Sequence, residues 1–302
     1  MKDLEPKLSI HVGEPSPPSE LLLFAQTHPS KPLWSEQTME RFLTQLISDP
    51  KLIIDVRCGE KRVALAVLID QIQNTGNFAC LEFLGVDTQF NLLSIYNLVI
   101  PAAAEKLPSN KSGFELTLNC EVVLPEVFFR KNNLMPYYET YEMVHDQLDT
   151  TSLEPSSEIR LLDHVDDQEF YEVLKECFHQ NPDFSLTTFD NWKVAKKNAT
   201  TTTTWVIHRK DKIAGFITIE LCTENQEGEI KTIGVMPQYR GQSLGRALLC
   251  HGLSQFAQQG IKTCTLVVAI QNQKALTLYI NLGFKVKEHF RVFYSRSTAS
   301  AR

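Results

Sequence analysis

The stretch Val235-Met236-Pro237-Gln238-Tyr239-Arg240-Gly241-Gln242-Ser243-Leu244-Gly245-Arg246-Ala247-Leu248-Leu249 decides how the whole chain is read. A strand, Glu229 to Val235, ends where it begins, and a long amphipathic helix, Leu244 to Gln259, starts inside it and stops at Gly260. The first backbone N–H groups of such a helix have no intrahelical partner and face one point, where the helix dipole adds partial positive charge. The loop is therefore an anion cradle suited to a pyrophosphate. Gly241 and Gly245 let the main chain come close to a ligand, and Arg240 adds a full charge at the mouth. Neither GxxxxGK(S/T) nor GxGxxG is present, which excludes the two commonest glycine-rich phosphate loops. A plain strand-to-helix turn stays open as the alternative.

Working outward, the elements around this loop alternate. Ile159-Arg160-Leu161-Leu162 reads as a short strand, and Asp166 to His179 as a helix with Phe170, Val173, Leu174 and Phe178 on one face. Thr203 to His208 and Ile213 to Leu221 are strands joined by a polar turn, Cys264 to Ala269 is a strand, Lys274 to Leu282 a helix stopped by Gly283, and Val292 to Ser295 a last strand. The first half runs in the same order. Strands Leu52 to Arg57, Val63 to Ile69 and Cys80 to Val86 precede a helix, Leu92 to Lys106. A strand (Phe114 to Asn119), a short helix (Glu126 to Asn132) and a tyrosine-rich strand (Tyr137 to Met143) follow. Phe83-Leu84-Gly85-Val86 matches Thr232-Ile233-Gly234-Val235 at an offset of 149, and Phe128-Phe129 matches Leu278-Tyr279 at 150. An order repeated at a nearly constant offset argues for duplication. The segment 146–158, rich in Ser, Thr, Asp and Glu, reads as the linker between the two halves.

The 302 residues fit two domains of ordinary globular composition, 43% hydrophobic and 22% charged. A net charge of −6 argues against a general nucleic-acid binder and permits a cationic substrate. Seven scattered cysteines without a CxxC pair give no support for a metal site and read as free thiols in a reducing compartment. The polar N-terminus does not resemble a signal peptide, and no apolar run approaches the roughly 20 residues that span a bilayer. A cytoplasmic protein without membrane or nucleic-acid partners is expected.

The loop, followed by Asn272-x-x-Ala275-x-x-Leu278-Tyr279-x-x-x-Gly283-Phe284, resembles the GCN5-related N-acetyltransferase (GNAT) superfamily. The likeness is specific over about Ile213 to Tyr294 and looser back to Ile159. It implies a mixed-sheet α/β fold in each half, two tandem acyltransferase folds with residues 159–302 as the catalytic one. It also implies acetyl-coenzyme A as cosubstrate, held by Ile233, Gly234, Val235, Arg240, Gly241, Gln242, Ser243, Leu244, Gly245, Arg246, Asn272 and Tyr279. The family pattern, usually written (Q/R)-x-x-G-x-(G/A), would put glycine at 243, where this chain has serine; a Cβ there strains a positive φ.

The resemblance further implies direct acetyl transfer to an amine of a small molecule, or to a protein or peptide N-terminus. The strand ending at Val235 is expected to splay from Cys264 to Ala269, leaving N–H groups near Gly234 and Val235 as oxyanion donors. Tyr279 takes the position of the general acid, a phenol that can protonate the leaving sulfur. Asn272 either bonds the coenzyme or caps the last helix. As general base Glu229 comes first, placed on Val235's strand face by a period of two, and Glu220 second; a water chain would need neither. His208, His251 and His289 read as surface or strand-end residues; the resemblance implies substrate choice by the first helix and the loop after it, His179 to Lys197, in which His179 to Ser185, with Asp183 and Phe184, reads as a pocket rim. A non-catalytic acyl-coenzyme A sensor is the reading from another class.

Carried back by 149 residues, the loop falls on Asn91-Leu92-Leu93-Ser94-Ile95-Tyr96. Both glycines and the arginine are gone, Phe129 stands for Tyr279, and Asn133 for Gly283. Residues 1–145 therefore read as a degenerate copy without a coenzyme site, with Tyr137, Tyr138 and Tyr141 as cover for the acceptor pocket. Tandem members of the superfamily show this arrangement.

Overall fold

Apolar runs long enough to be buried on both faces form the middle of each sheet. The computed structural model describes residues 7–13, 17–28, 53–69, 78–109, 111–148, 158–179, 188–198, 201–222 and 226–296. They divide into two compact units; the second is Tyr138–Phe290, and the first takes the described residues before it together with 291–296.

The first unit contains β1 (Leu8–Val12), α1 (Pro18–Thr27), β2 (Ile53–Cys58), β3 (Lys61–Ile69), β4 (Phe78–Val86), α2 (Leu92–Glu105), β5 (Gly113–Asn119), α3 (Glu126–Lys131) and the start of β6 (Leu134–His145). The strands lie in the order β1-β2-β3-β4-β5, antiparallel except for the parallel pair β4–β5. Alternation along β3 explains its unbroken apolar run. Ala64, Ala66 and Leu68 face a core shared with Ile95 and Val99 of α2, while Leu65 and Val67 face Leu21 and Phe24 of α1.

The second unit holds the rest of β6, then β7 (Ile159–Leu161), α4 (Asp167–Phe178), α5 (Phe189–Asn198), β8 (Thr202–Arg209), β9 (Lys212–Cys222), β10 (Glu227–Val235), α6 (Leu244–Gln258), β11 (Thr263–Ala269), α7 (Gln273–Asn281) and most of β12 (Lys285–Arg296). Its order is β6-β11-β10-β9-β8-β7, with only β10–β11 parallel. On β9, Ile217 and Ile219 pack under Leu248, Leu249 and Phe256 of α6, and Phe216 packs under Phe170 and Leu174 of α4. Each of the fully buried side chains among these contributes roughly 1.5–3 kcal/mol. Both sheets are mixed, as the family resemblance implies.

The duplication reaches beyond the matched residues. β4 and β10 are both nine residues long and 149 apart, β5 and β11 are 150 apart, and β6 and β12, twelve residues each, are 151 apart. Helices α1 and α4 also start 149 apart, although β1 and α1 carry no sequence signal that announces them. Asn133 (φ 51°) keeps the left-handed turn of Gly283 (φ 92°), because Asn tolerates that region better than other side chains.

Several expectations need correction. The supposed loop His179 to Lys197 contains a helix, α5, while Asp183 and Phe184 of the expected rim lie outside the described residues, as does 149–157 of the linker. The last strand begins at Lys285 rather than Val292. His251 is not a surface residue but is buried in α6 beside Trp205, ring centroids 5.4 Å apart. The compact units also depart from the halves at 145 and 159, since 138–145 belongs to the second unit and 291–296 to the first.

Candidate functional site

β10 hydrogen-bonds with β11 only from Glu227 to Ile230, opposite Thr263 to Leu266. Beyond that point β10 runs on to Val235 against β9 alone, and β11 runs on to Ala269 against β6. A gap opens between two strands that started as neighbours. Met236 N–H donates to the Ala214 carbonyl on the β9 side, so alternation turns Gly234 toward β9 and leaves the N–H groups of Ile233 and Val235 facing the gap. Val235, rather than Gly234, is thus the free backbone donor nearest the loop.

The loop itself is a chain of local bonds. The Pro237–Tyr239 turn is closed by Arg240 N–H on the Pro237 carbonyl, and Arg240 Nε donates to the Val235 carbonyl at 3.0 Å. Gly241 (φ 79°) and Ser243 (φ 60°) then take left-handed conformations that swing the chain into α6. Ser243 makes no side-chain cap, and the first bond of the helix is Ala247 N–H to the Ser243 carbonyl. The amides of Leu244, Gly245 and Arg246 are consequently the orphan donors of a helix start. Arg240, Gly241, Gln242 and Arg246 are exposed around them.

Close packing ties the loop to the strand end and to α7. A Cβ added to Gly245 would lie 3.5 Å from Leu278 and 3.8 Å from Val235, so these two side chains bound the space beside the glycine. The next residue on α7, Tyr279, is 6% exposed, and burial pushes its phenol up to about 12. It remains a neutral donor at any physiological pH. Asn272 takes the capping role, its Oδ1 accepting from Ala275 N–H at 3.3 Å.

The two carboxylates read as bases stand elsewhere on the sheet. A β-bulge at Lys231 shifts the alternation between Ile230 and Thr232. Glu229 faces with Glu220, and Val235 with Gly215, five residues away on a regular strand, so Glu229 and Val235 occupy opposite faces rather than the same one. The period of two failed because one inserted residue reverses every side chain beyond it. Lys231 Nζ lies 3.0 Å from Glu229 and 3.5 Å from Glu220, and Thr201 Oγ1 donates to Glu220 at 2.6 Å. Burial alone would lower Lys231, but the neighbouring charges of Glu229 and Glu220 outweigh it and raise it.

The matching place in the first unit is closed. Helix α2 begins three residues earlier in the repeat than α6, so a helical turn fills the space of the glycine loop. Asn91 Oδ1 accepts from Ser94 N–H at 3.1 Å and occupies one of the orphan donors. Asp87, buried at the strand end, accepts from Gln89 N–H and pairs with Lys61 at 2.8 Å. The hydrogen bond from Lys61 holds its carboxyl below the usual range, so the position equivalent to Met236 carries a negative charge. Sequence comparison showed the lost glycines but not this acid, although an Asp after a strand end signals such a turn.

An opened strand pair, an uncapped helix start and a buried phenol lie within one unit. Residues 167–284 match the Acetyltransferase (GNAT) family. Mycothiol acetyltransferase of Streptomyces griseus is 33% identical over 84 residues, 28% of this chain and 27% of that protein. The Escherichia coli alanine N-acetyltransferase of ribosomal protein bS18 is 35% identical over 83 residues, 28% of this chain and 55% of that enzyme. The match thus spans little more than half of either relative at most. A tandem GNAT protein from the clavulanic acid biosynthesis pathway covers 96% of this chain and 99% of its own, with TM-score 0.66 and 13% identity, and shows the tandem fold.

Proposed function

We propose that the second half of the chain, residues 159–302, transfers an acetyl group from acetyl-coenzyme A to a primary amine of a small molecule, and that residues 1–145 are a copy that has lost its coenzyme site. The observation that carries the reading is the uncapped, left-handed entry into α6 at Ser243, set against the opened gap between β10 and β11. Orphan amides with Arg240 and Arg246 suit a pyrophosphate, and no buried acid of the Asp87 kind opposes them. The Val235 N–H faces the gap, where negative charge grows on the thioester oxygen as the amine attacks. Tyr279, kept protonated by burial, supplies the proton for the departing sulfur. The family relatives support acyl transfer, and the mycothiol enzyme supports a small acceptor. The bS18 enzyme favours a second reading, a protein or peptide N-terminus as acceptor.

Thiols at Cys58, Cys177, Cys250 and Cys264 that form no disulfide support a reducing compartment such as the cytoplasm. No helix among the described residues is long and apolar enough to cross a membrane. Calorimetry with acetyl-coenzyme A, followed by thiol release over a panel of small amines and peptides, tests the proposal. Binding and turnover on small amines is the expected result. Turnover on peptides alone moves the acceptor to the second reading, binding without turnover leaves an acyl-coenzyme A sensor, and no binding refutes the site.

A further inference from the structure

Glu142, in the middle of β6, is 0% exposed. Its Oε1 accepts from Lys287 Nζ at 3.0 Å, while its Oε2 is buried with no hydrogen-bond partner. A carboxylate oxygen buried without a donor destabilises a fold and calls for an explanation. Register supplies one. Glu142 lies opposite Val267 on β11, and Glu229 lies opposite Thr265 on the other side of the same strand. Residues two apart share a face, so Glu142 and Glu229 flank β11 on one face, at the place where β10 and β11 part. Val267, between them, is 50% exposed, so no helix covers this part of the sheet. The face is the one opposite α6, whose core takes Ile230, Leu266 and Val268.

The charged groups around Glu142 decide which carboxylate is free to act. Lys287 and Glu288 come from β12, Glu229 and Lys231 from β10, and Glu220 from β9; Glu139, paired with His289, lies mid-strand on β6, and Asp146, paired with Lys285, lies just past its end. Glu229 and Glu220 already share Lys231. Of their oxygens, Oε2 of Glu142 is the one buried without a hydrogen-bond partner, whereas Glu220 takes both Thr201 and Lys231 and Glu229 holds Lys231 through Oε2. Burial raises its carboxyl above the ordinary value, against the pull of Lys287, and the charges of Glu288 and Glu229 add to the rise. A carboxylate tuned upward is a better proton acceptor near neutral pH than an ordinary one.

We propose that Glu142 Oε2 is the general base for the acceptor, and that Lys287, held on Oε1, covers the carboxylate until an acceptor ammonium arrives. The assignment rests on the acyl-transfer reading above. One N–H bond of the incoming R–NH3+ breaks, its electron pair stays on nitrogen for attack, and an O–H bond forms on Oε2. Lys287 is a flexible side chain, 37% exposed, that can swing clear. One ammonium then replaces another and the charge of the face is unchanged. The acceptor class that follows is an amine protonated in solution, bound as its ammonium. The base comes from the first half of the chain, so that half supplies a working residue although its own coenzyme site is closed.

The test is the pH profile of kcat/KM for full-length protein and an amine that it acetylates, with acetyl-coenzyme A binding and thermal unfolding measured alongside. Wild type is expected to show an acidic limb above the ordinary carboxylate range. Glu142→Gln should lose that limb and about 100-fold in rate, keep acetyl-coenzyme A binding, and recover activity as pH approaches the amine's own pKa, about 10. A raised folded pKa means that stability falls as pH rises from the unfolded toward the folded value, so Glu142→Gln should also unfold at a higher temperature than wild type at neutral pH. A structural role predicts the reverse, a lower temperature with the limb intact, and would overturn the assignment. Loss of the limb in Glu229→Gln instead, with Glu142→Gln retaining it, would also overturn it. A wild type that binds acetyl-coenzyme A and acetylates no amine refutes the acyl-transfer reading itself, and the base falls with it.

Discussion

Replacing Ser243 with glycine should make the protein more stable and tighten its hold on acetyl-coenzyme A. Ser243 sits at φ 60°, ψ 11°, with no cap hydrogen bond to offset the conformation. A left-handed L-residue costs about 1–2 kcal/mol, mostly from Cβ against the following carbonyl. Glycine removes that cost but loses about 0.5–1 kcal/mol more chain entropy on folding. The difference leaves a net gain of about 0.5–1 kcal/mol. For a unit of this size that is a rise of about 1–4 °C in Tm by calorimetry. Any part of that cost which the free loop sheds by relaxing is restored on binding, so the one gain is divided between Tm and affinity and is not counted in full in both. Ser243→Gly should therefore lower the Kd for acetyl-coenzyme A up to about fivefold, the equivalent of 1 kcal/mol. Ser243→Val, β-branched at the same φ, should shift both quantities the other way. If glycine lowers Tm, or valine changes neither Tm nor Kd, the loop does not use a left-handed residue at 243 and the cradle argument is wrong.

Tyr279→Phe should leave acetyl-coenzyme A binding intact and cut turnover by about 100-fold, read by thiol release. Asn91→Ala, which uncaps α2, should cost about 1 kcal/mol of stability without altering coenzyme affinity, whereas Asn272→Ala should lower both, since α7 packs on the loop through Leu278. His251 has both ring nitrogens buried without partners, and burial lowers its pKa below 6.5. The unfolded chain then binds more protons than the folded one below that value, so stability falls as pH drops through 6.5 toward the folded pKa. His251→Leu should remove part of that fall in thermal unfolding between about pH 7 and 5.

What the sequence disclosed follows from the range of each signal. The loop Arg240 to Gly245 and its partner Asn272 to Phe284 were legible because every requirement is local: a strand end, a glycine at positive φ, a helix start and a cap. The long helices and inner strands were legible from their apolar periods. The edge strand β1 and helix α1 were not, since Leu8–Val12 is short and half-exposed and α1 starts from Pro17 without a side-chain cap. Glu229 was placed on the wrong face because the bulge at Lys231 leaves no mark in the residues that form it.

Glu142 was missed for a different reason, and it sharpens the meaning of the duplication. Within Tyr137 to Met143 it reads as one more polar residue of an alternating strand, between Tyr141 and Met143. Only the pairing of β6 with β11, 120 residues further along, turns that polar face into the floor beside the β10–β11 gap. A local pattern fixes alternation along a strand but not the neighbour that the strand finds. The same register explains why Tyr141 and Met143 cannot act together with Glu142 as a lid: they lie on the opposite face, in the core under α6 and α7. On the proposed reading the first half has lost its cradle through a capped helix and a buried acid, while residues 138–145 of its last strand belong to the second unit. Decay of a coenzyme loop and retention of a strand are independent events, because the loop answers to a ligand and the strand answers to the sheet.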